Sequence, residues 1–168
     1  GGSEPRLAAP GSPAESAQTR PCYSHVARHT PEVRQMFSTI VIGLDGSETA
    51  KHACRDGVEL AKELDASIHF VTAYSDSSTS ESEVTEERTE AEQLLDRTAD
   101  ACGVADGVTN HALRGSPAAT ILKVAEEVDA DLIVVGNRGM TGVRRVLGSV
   151  ASAVTTQAPC NVMVVKTT

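Results

Sequence analysis

The sequence predicts an α/β fold, a parallel five-stranded sheet flanked by four helices, and three observations carry that prediction. Short β-branched apolar runs alternate with segments of helical periodicity from Met36 to the C-terminus, as in successive strand–helix–strand units. Aromatic residues make up only 2% of the 168 residues and there is no Trp, so the core is built from Val, Ile, Leu and Ala, the usual filling of a parallel sheet. The run Leu132-Ile133-Val134-Val135 carries no polar side chain, which fits a strand covered on both faces.

The elements follow in order. Phe37 to Leu44 is a β-branched strand, and Asp45-Gly46-Ser47 is a turn with Ser47 as helix N-cap. Residues 48–64 set Ala50, Ala53, Cys54, Val58, Ala61 and Leu64 at helical spacing. Ser67 to Ala73 reads as a second strand. The Ser- and Glu-rich stretch from Asp76 to Val84 reads as a loop before a helix from about Glu86 to Ala101. Val104 to Leu113 is a third strand, interrupted by Gly107 and Asn110. Ser116-Pro117 is an N-cap followed by proline at the first helical position, and residues 118–128 continue the helix. After the fourth strand, a helix from Gly148 to about Gln157 leads into a last strand, Asn161 to Val165.

Residues 1–35 stand apart from this pattern. They hold five of the seven prolines and no apolar period, so they are expected to be a disordered tail ahead of one folded domain, 36–168. Met36 lies just before the first strand, so the tail also reads as an addition or an over-long start. The tail has four Arg against three acids, leaving residues 36–168 with 11 Lys/Arg and 20 Asp/Glu. Such an acidic body argues against nucleic acid or an anionic membrane as the main partner, since both need a basic face. No stretch approaches the about 20 apolar residues of a membrane span and no secretory apolar segment is evident, so the expected location is cytoplasmic. Cys22, Cys54, Cys102 and Cys160 are scattered without a C-x-x-C pair and read as reduced thiols. Cys160, just before the last strand, reads as a buried thiol rather than a redox switch. His52, His69 and His111 are isolated in sequence and His25 and His29 lie in the tail. None makes a metal-spaced pair, so no metal site is expected. Glu81 to Glu92 reads as a solvated acidic face.

The segment from Val134 to Ser149 carries the functional argument. A charge-free strand runs into a loop with Gly136, Gly139 and Gly142 and three arginines, Arg138, Arg144 and Arg145, and ends in Gly148-Ser149 at a helix start. Strand, glycine loop and helix N-terminus together make an anion cradle: glycines let backbone approach closely, and free N–H groups of the first turn point at the charge. Arg138 is the arginine best placed to face a phosphate. On a doubly wound sheet, ligands bind beyond the carboxyl ends of the strands where strand order reverses. Gly43-Leu44-Asp45 and the residues from Gly136 onward both open there. No Gly-Lys-Ser/Thr follows the loop and the first strand does not open into G-x-G-x-x-G, which removes the main support for kinase, GTPase and NAD-dehydrogenase readings.

Gly136-Asn137-Arg138-Gly139, an arginine-bearing run and then Gly148-Ser149 resemble the nucleotide signature of the universal stress protein family. Ile40-Val-Ile-Gly-Leu-Asp-Gly-Ser47, Asp131 to Gly136 and Ala158 to Val165 resemble that family too, and the likeness covers Met36 to Thr168. It implies a Rossmann-like sheet of order 3-2-1-4-5, with ATP, with or without Mg²⁺, as ligand. It places Gly136, Asn137, Arg138, Gly139, Met140, Thr141, Gly148, Ser149 and Val150 around phosphates and ribose. Gly43 and Asp45 would lie near adenine and ribose, and Ala73 would offer backbone groups to the adenine. Asp45 has a second reading, an Asx-turn that caps the next helix. One departure stands out. The family pattern has nine residues between the second glycine and Gly-Ser, and Met140 to Leu147 is eight. The likeness also implies a homodimer through the last strand, an apolar edge that must be covered or paired.

The resulting expectation is a small nucleotide-binding stress regulator. Two alternatives stand beside it, a slow ATP hydrolase and a nucleotide-independent interaction module. Against the hydrolase, the sequence offers no evident general base, Mg²⁺-binding carboxylate pair or nucleophile–base couple near the loop.

Overall fold

A computed structural model describes residues 36–75, 80–137 and 147–166. The expectations for residues 1–35 lie outside the described residues. The strands β1 (Thr39–Gly43), β2 (Ser67–Tyr74), β3 (Val108–Arg114), β4 (Leu132–Gly136) and β5 (Asn161–Val165) form one parallel sheet in the order β3-β2-β1-β4-β5. The helices α1 (Glu48–Leu64), α2 (Glu81–Cys102), α3 (Pro117–Glu127) and α4 (Ser149–Gln157) connect them.

Side chains alternate across the sheet, so the core has two halves. On one face Ile40, Ile42, Phe70 and Val134 pack against Ala53, Cys54 and Val58 of α1 and Leu95 of α2. On the other, Val41, Val71, Ile133 and Val135 meet Ile121, Val124, Ala151 and Val154 of α3 and α4. Each Ile, Val or Leu so buried contributes roughly 1.5–3 kcal/mol. α1 lies close to the sheet because its buried stripe is small: a Cβ on Gly57 would sit 2.7 Å from Ile42 Cδ1.

Register brings Gly43 and Gly136 to the carboxyl ends of neighbouring central strands, β1 and β4. At the opposite end the Asp131 carboxylate accepts from the Ser38 N–H (2.8 Å), the Ser38 hydroxyl (2.7 Å) and the Thr39 N–H (3.0 Å), fixing the entry of β1 beside β4.

β1 is shorter than the Phe37–Leu44 read from the sequence, and the two largest boundary differences are at α2 and β3. α2 begins at Glu81, not near Glu86, with Ser80 in extended conformation at the N-cap position. Glu81 and Glu83 fall in its first turn, where acids are favoured by the helix dipole, so residues that read as a loop are a helix start. β3 begins at Val108, because Ala105–Gly107 forms a short 3-10 turn. Asn110 is tolerated because β3 is an edge strand with much of its length exposed.

Candidate functional site

A pocket of about 130 Å³ opens at the carboxyl ends of β1 and β4. Gly43, Leu44 and Asp45 form one wall, Val135 and Gly136 another, and Gly148, Ser149, Val150 and Ala151 of the α4 start a third. Ala50 of α1 and Pro117 and Ile121 of α3 complete the lining. Three helices therefore begin around it, a consequence of parallel topology, in which every helix after a strand starts at the same sheet edge.

Those three starts differ in what their backbone offers. In α1 the Ser47 hydroxyl accepts from the Ala50 N–H at 3.2 Å, so this end is capped by its own chain. α3 opens with Pro117, which has no N–H to present. In α4 the first intrahelical bond runs from the Ser152 N–H to the Gly148 carbonyl, at 2.9 Å, and no side chain among the described residues caps the turn. The N–H groups of Ser149, Val150 and Ala151 thus have no acceptor within the helix. They sit where the macrodipole is positive, beside the pocket.

Asp45 is the one charged side chain among the described residues of the lining. Its Oδ1 accepts from the Ser47 N–H at 3.0 Å and from the Ser47 hydroxyl at 2.5 Å, the Asx-turn geometry. Thr49 Oγ1 lies 3.0 Å from Ser47 Oγ and extends this short network into α1. Asp45 thereby shapes the turn from β1 into α1 while lining the pocket.

Both strand ends are tightly packed, against backbone at Gly136 and against the tip of a side chain at Gly43. A Cβ on Gly136 would sit 2.9 Å from the Thr49 carbonyl carbon and oxygen, and one on Gly43 would sit 2.6 Å from Ile121 Cδ1. Beyond Gly136, the Asn137 N–H donates to the Val165 carbonyl at 2.9 Å, and the Asn137 carbonyl accepts from Gly148 N–H at 2.9 Å. The second bond joins the two ends of the β4–α4 connection next to the pocket.

Of the residues singled out in the sequence, Gly43, Asp45, Gly136, Gly148, Ser149 and Val150 come together in this lining, with Asn137 directly following Gly136. Ala73, half-buried near the end of β2, is not among the lining residues. Arg138, Gly139, Met140 and Thr141 lie outside the described residues, as do Arg144 and Arg145. Pro117 and Ile121 were missed as candidates. The Ser116-Pro117 helix start was the available signal, since in this topology it too points to the ligand edge.

Folding also makes two pairs that sequence spacing conceals. His69 Nδ1 and His111 Nε2 are 3.0 Å apart across β2 and β3. Both rings are half-buried, and desolvation holds both below the ordinary histidine range, aided at His69 by the neighbouring His111 and opposed at His111 by Glu127. Cys54 and Cys102 form the second pair, in a larger groove of about 730 Å³ between α1 and α2. No group of three or more His, Cys, Asp and Glu among the described residues could hold a metal ion. No described helix is long and apolar enough to cross a membrane.

Known proteins resemble this chain in sequence and in fold. The profile of the universal stress protein family matches residues 36–166. A universal stress protein of Methanocaldococcus jannaschii is 36% identical over 143 residues, covering 78% of this chain and 83% of that relative. The universal stress protein UspA from Lactobacillus plantarum superposes with a TM-score of 0.68 at 27% identity, over 77% of this chain and 97% of its own. A universal stress protein solved in complex with cAMP gives 0.65 at 27% identity, over 79% and 99%.

Proposed function

Because the chain belongs to the universal stress protein family, we propose that it binds an adenine nucleotide, ATP with or without Mg²⁺, and acts as a regulator in stress responses rather than as a catalyst. The observation that carries this reading is the first turn of α4. Its N–H groups lack helical acceptors and adjoin a pocket at the reversal of strand order between β1 and β4. A family member with the same fold holds cAMP, which supports the adenine class of ligand.

In this reading Gly136, Asn137, Gly148, Ser149 and Val150, with Arg138 to Thr141, surround phosphates and ribose. Gly43 and the apolar side chains of Leu44, Ile121 and Val135 suit the uncharged faces of sugar and base. Asp45 accepts from a ribose hydroxyl, and Ala73 offers backbone groups to the adenine from the end of β2. Asp45 Oδ1 accepts from Ser47, which holds the carboxylate at the mouth of the pocket in position for the ribose contact. A second copy of the chain pairs along β5.

Isothermal titration with ATP, ADP and AMP tests the reading, together with mass spectrometry of the native protein for a retained nucleotide. Saturable binding is expected, with a melting temperature that rises with ligand. At a concentration 100-fold above Kd the added stability is about 2.7 kcal/mol. Absence of binding at millimolar ligand overturns it, and steady phosphate release abolished by Gly139→Ala would replace regulator with hydrolase.

A further inference from the structure

The α1–α2 groove shares no lining residue with the pocket at the ends of β1 and β4 and contains the pair of thiols. Cys54, on the buried stripe of α1, is fully enclosed. Cys102 is the last residue of α2 and is half-buried. Their sulfur atoms are 3.1 Å apart, although 48 positions separate them in sequence. Both line the groove, which is open to solvent and edged by Lys51, Arg55, Lys62 and Arg97 along with Glu59 and Glu63. Lys62 Nζ donates to the Cys102 backbone carbonyl at 3.4 Å, tying α1 to the end of α2.

We propose that Cys54 and Cys102 form a redox site that a hydroperoxide entering this groove converts to an internal disulfide, stapling α1 to α2. The sulfurs need to approach by about 1 Å to reach bonding distance. The chain can supply that movement at Gly103, which ends α2 in the left-handed region (φ 64°) and has no neighbour within 4 Å of where a Cβ would stand. The two thiols have distinct roles. Cys54 is fully enclosed, whereas Cys102 is half-buried at the end of α2 and is the sulfur a peroxide in the groove can reach, so Cys102 reacts first. Burial also pushes the Cys54 thiol above the ordinary cysteine range.

The Cys102 thiolate, its proton lost to water, attacks one peroxide oxygen. The O–O bond breaks, the leaving hydroxide takes up a proton to become water, and Cys102 becomes a sulfenic acid. Cys54 sulfur then attacks Cys102 sulfur, forming the S–S bond as the S–O bond breaks, and its proton leaves with the hydroxyl as a second water. Two thiols are oxidised by two electrons, and hydrogen peroxide is reduced to two waters.

The full chain, reduced and then exposed to hydrogen peroxide, is alkylated under denaturing conditions and digested with trypsin without reductant. Peptides 52–55 and 98–114 should appear joined, separate again on treatment with dithiothreitol, and accompany a higher melting temperature in the oxidised protein. Cys102→Ser should abolish the joined peptide and leave Cys54 alkylatable. Cys54→Ala should stop Cys102 at the sulfenic acid, captured by dimedone, whereas the wild type gives no adduct. The proposal is overturned if Cys54 and Cys102 remain separately alkylated after peroxide has oxidised Cys160. It is equally overturned if Cys102 passes to sulfinic acid with no cross-link, or if every cross-link involves Cys22 or Cys160.

Discussion

Gly136 lies against the backbone of Thr49, so closely that a Cβ at position 136 would stand 2.9 Å from the Thr49 carbonyl carbon and oxygen. The end of β4 and the first turn of α1 are thereby locked together on one side of the pocket. The obstacle is backbone, which cannot rotate away as a side chain does. Gly136→Ala is expected to destabilise the fold by about 1–3 kcal/mol, as overpacking does. The same change at Gly107, where a Cβ meets nothing within 4 Å, should stay within about 0.5 kcal/mol of wild type. Urea midpoints of the two variants provide the comparison, and equal midpoints would show that Gly136 is not held as described.

Ser149 is exposed and begins α4 at the pocket. An acid there suits an isolated helix, because it faces the positive end of the dipole. It also occupies the place proposed for a nucleotide phosphate and repels it. Ser149→Asp should therefore keep or slightly raise the melting temperature without ligand, yet weaken ATP binding about tenfold or more, at least 1.4 kcal/mol. Unchanged affinity by titration would remove α4 from the phosphate site.

What could be read from residues alone follows the range of the forces involved. Ser47 as N-cap, the small buried stripe of α1 and the charge-free β4 are local signals, and each appears where expected. The convergence of Gly43, Asp45 and Gly148 on one pocket was legible because parallel topology sends all strand ends to one edge. Cys54 and Cys102 were not legible as a pair. Their contact depends on how α1 and α2 rotate on the sheet, and no sequence spacing encodes that. His69 and His111 meet only through the β2–β3 register, which pairs His69 with Thr109 and Val71 with His111 and so makes the two rings diagonal neighbours. The start of α2 was missed because Ser and Glu favour loops and first helical turns alike.

The histidine pair gives a pH dependence with a definite sign. Desolvation lowers both folded-state values below the ordinary 6.5. The unfolded chain therefore binds more protons in that range, and stability rises with pH there. It is complete above the unfolded value and is lost as pH falls from about 6.5 towards the lower folded values. A second proton on the pair also breaks the 3.0 Å contact, because one ring nitrogen must accept. Between pH 6.5 and 5 the wild type should lose more melting temperature than the His69→Gln/His111→Gln double variant. Parallel curves for the two proteins would count against the pair as the origin.

β5 pairs on one side with β4 and is an outer strand of the sheet, with Val162, Met163 and Val164 half-buried. An apolar strand with an unpaired edge favours joining another strand. The expected state at micromolar concentration is a homodimer, measured by light scattering, and Val162→Lys should shift the mass towards the monomer by setting a charge on that edge. A monomeric wild type would contradict the proposed pairing.

Asp131 provides a check on stability at the end of the sheet opposite the pocket. Its Oδ2 holds the Ser38 N–H and hydroxyl and the Thr39 N–H at 2.7–3.0 Å. Hydrogen bonds to a charged acceptor are worth about 1.5–3 kcal/mol each when buried, and partial exposure here brings the sum down. Asp131→Ala leaves all three donors without this acceptor and should cost about 1–3 kcal/mol. Asp131→Asn keeps a neutral oxygen at the same place and should cost less. Because these bonds secure where β1 enters the sheet, not where it leaves, ATP affinity of the folded variants should match wild type. A loss of affinity in Asp131→Asn that exceeds its loss of stability would mean that the two ends of β1 are coupled through the strand.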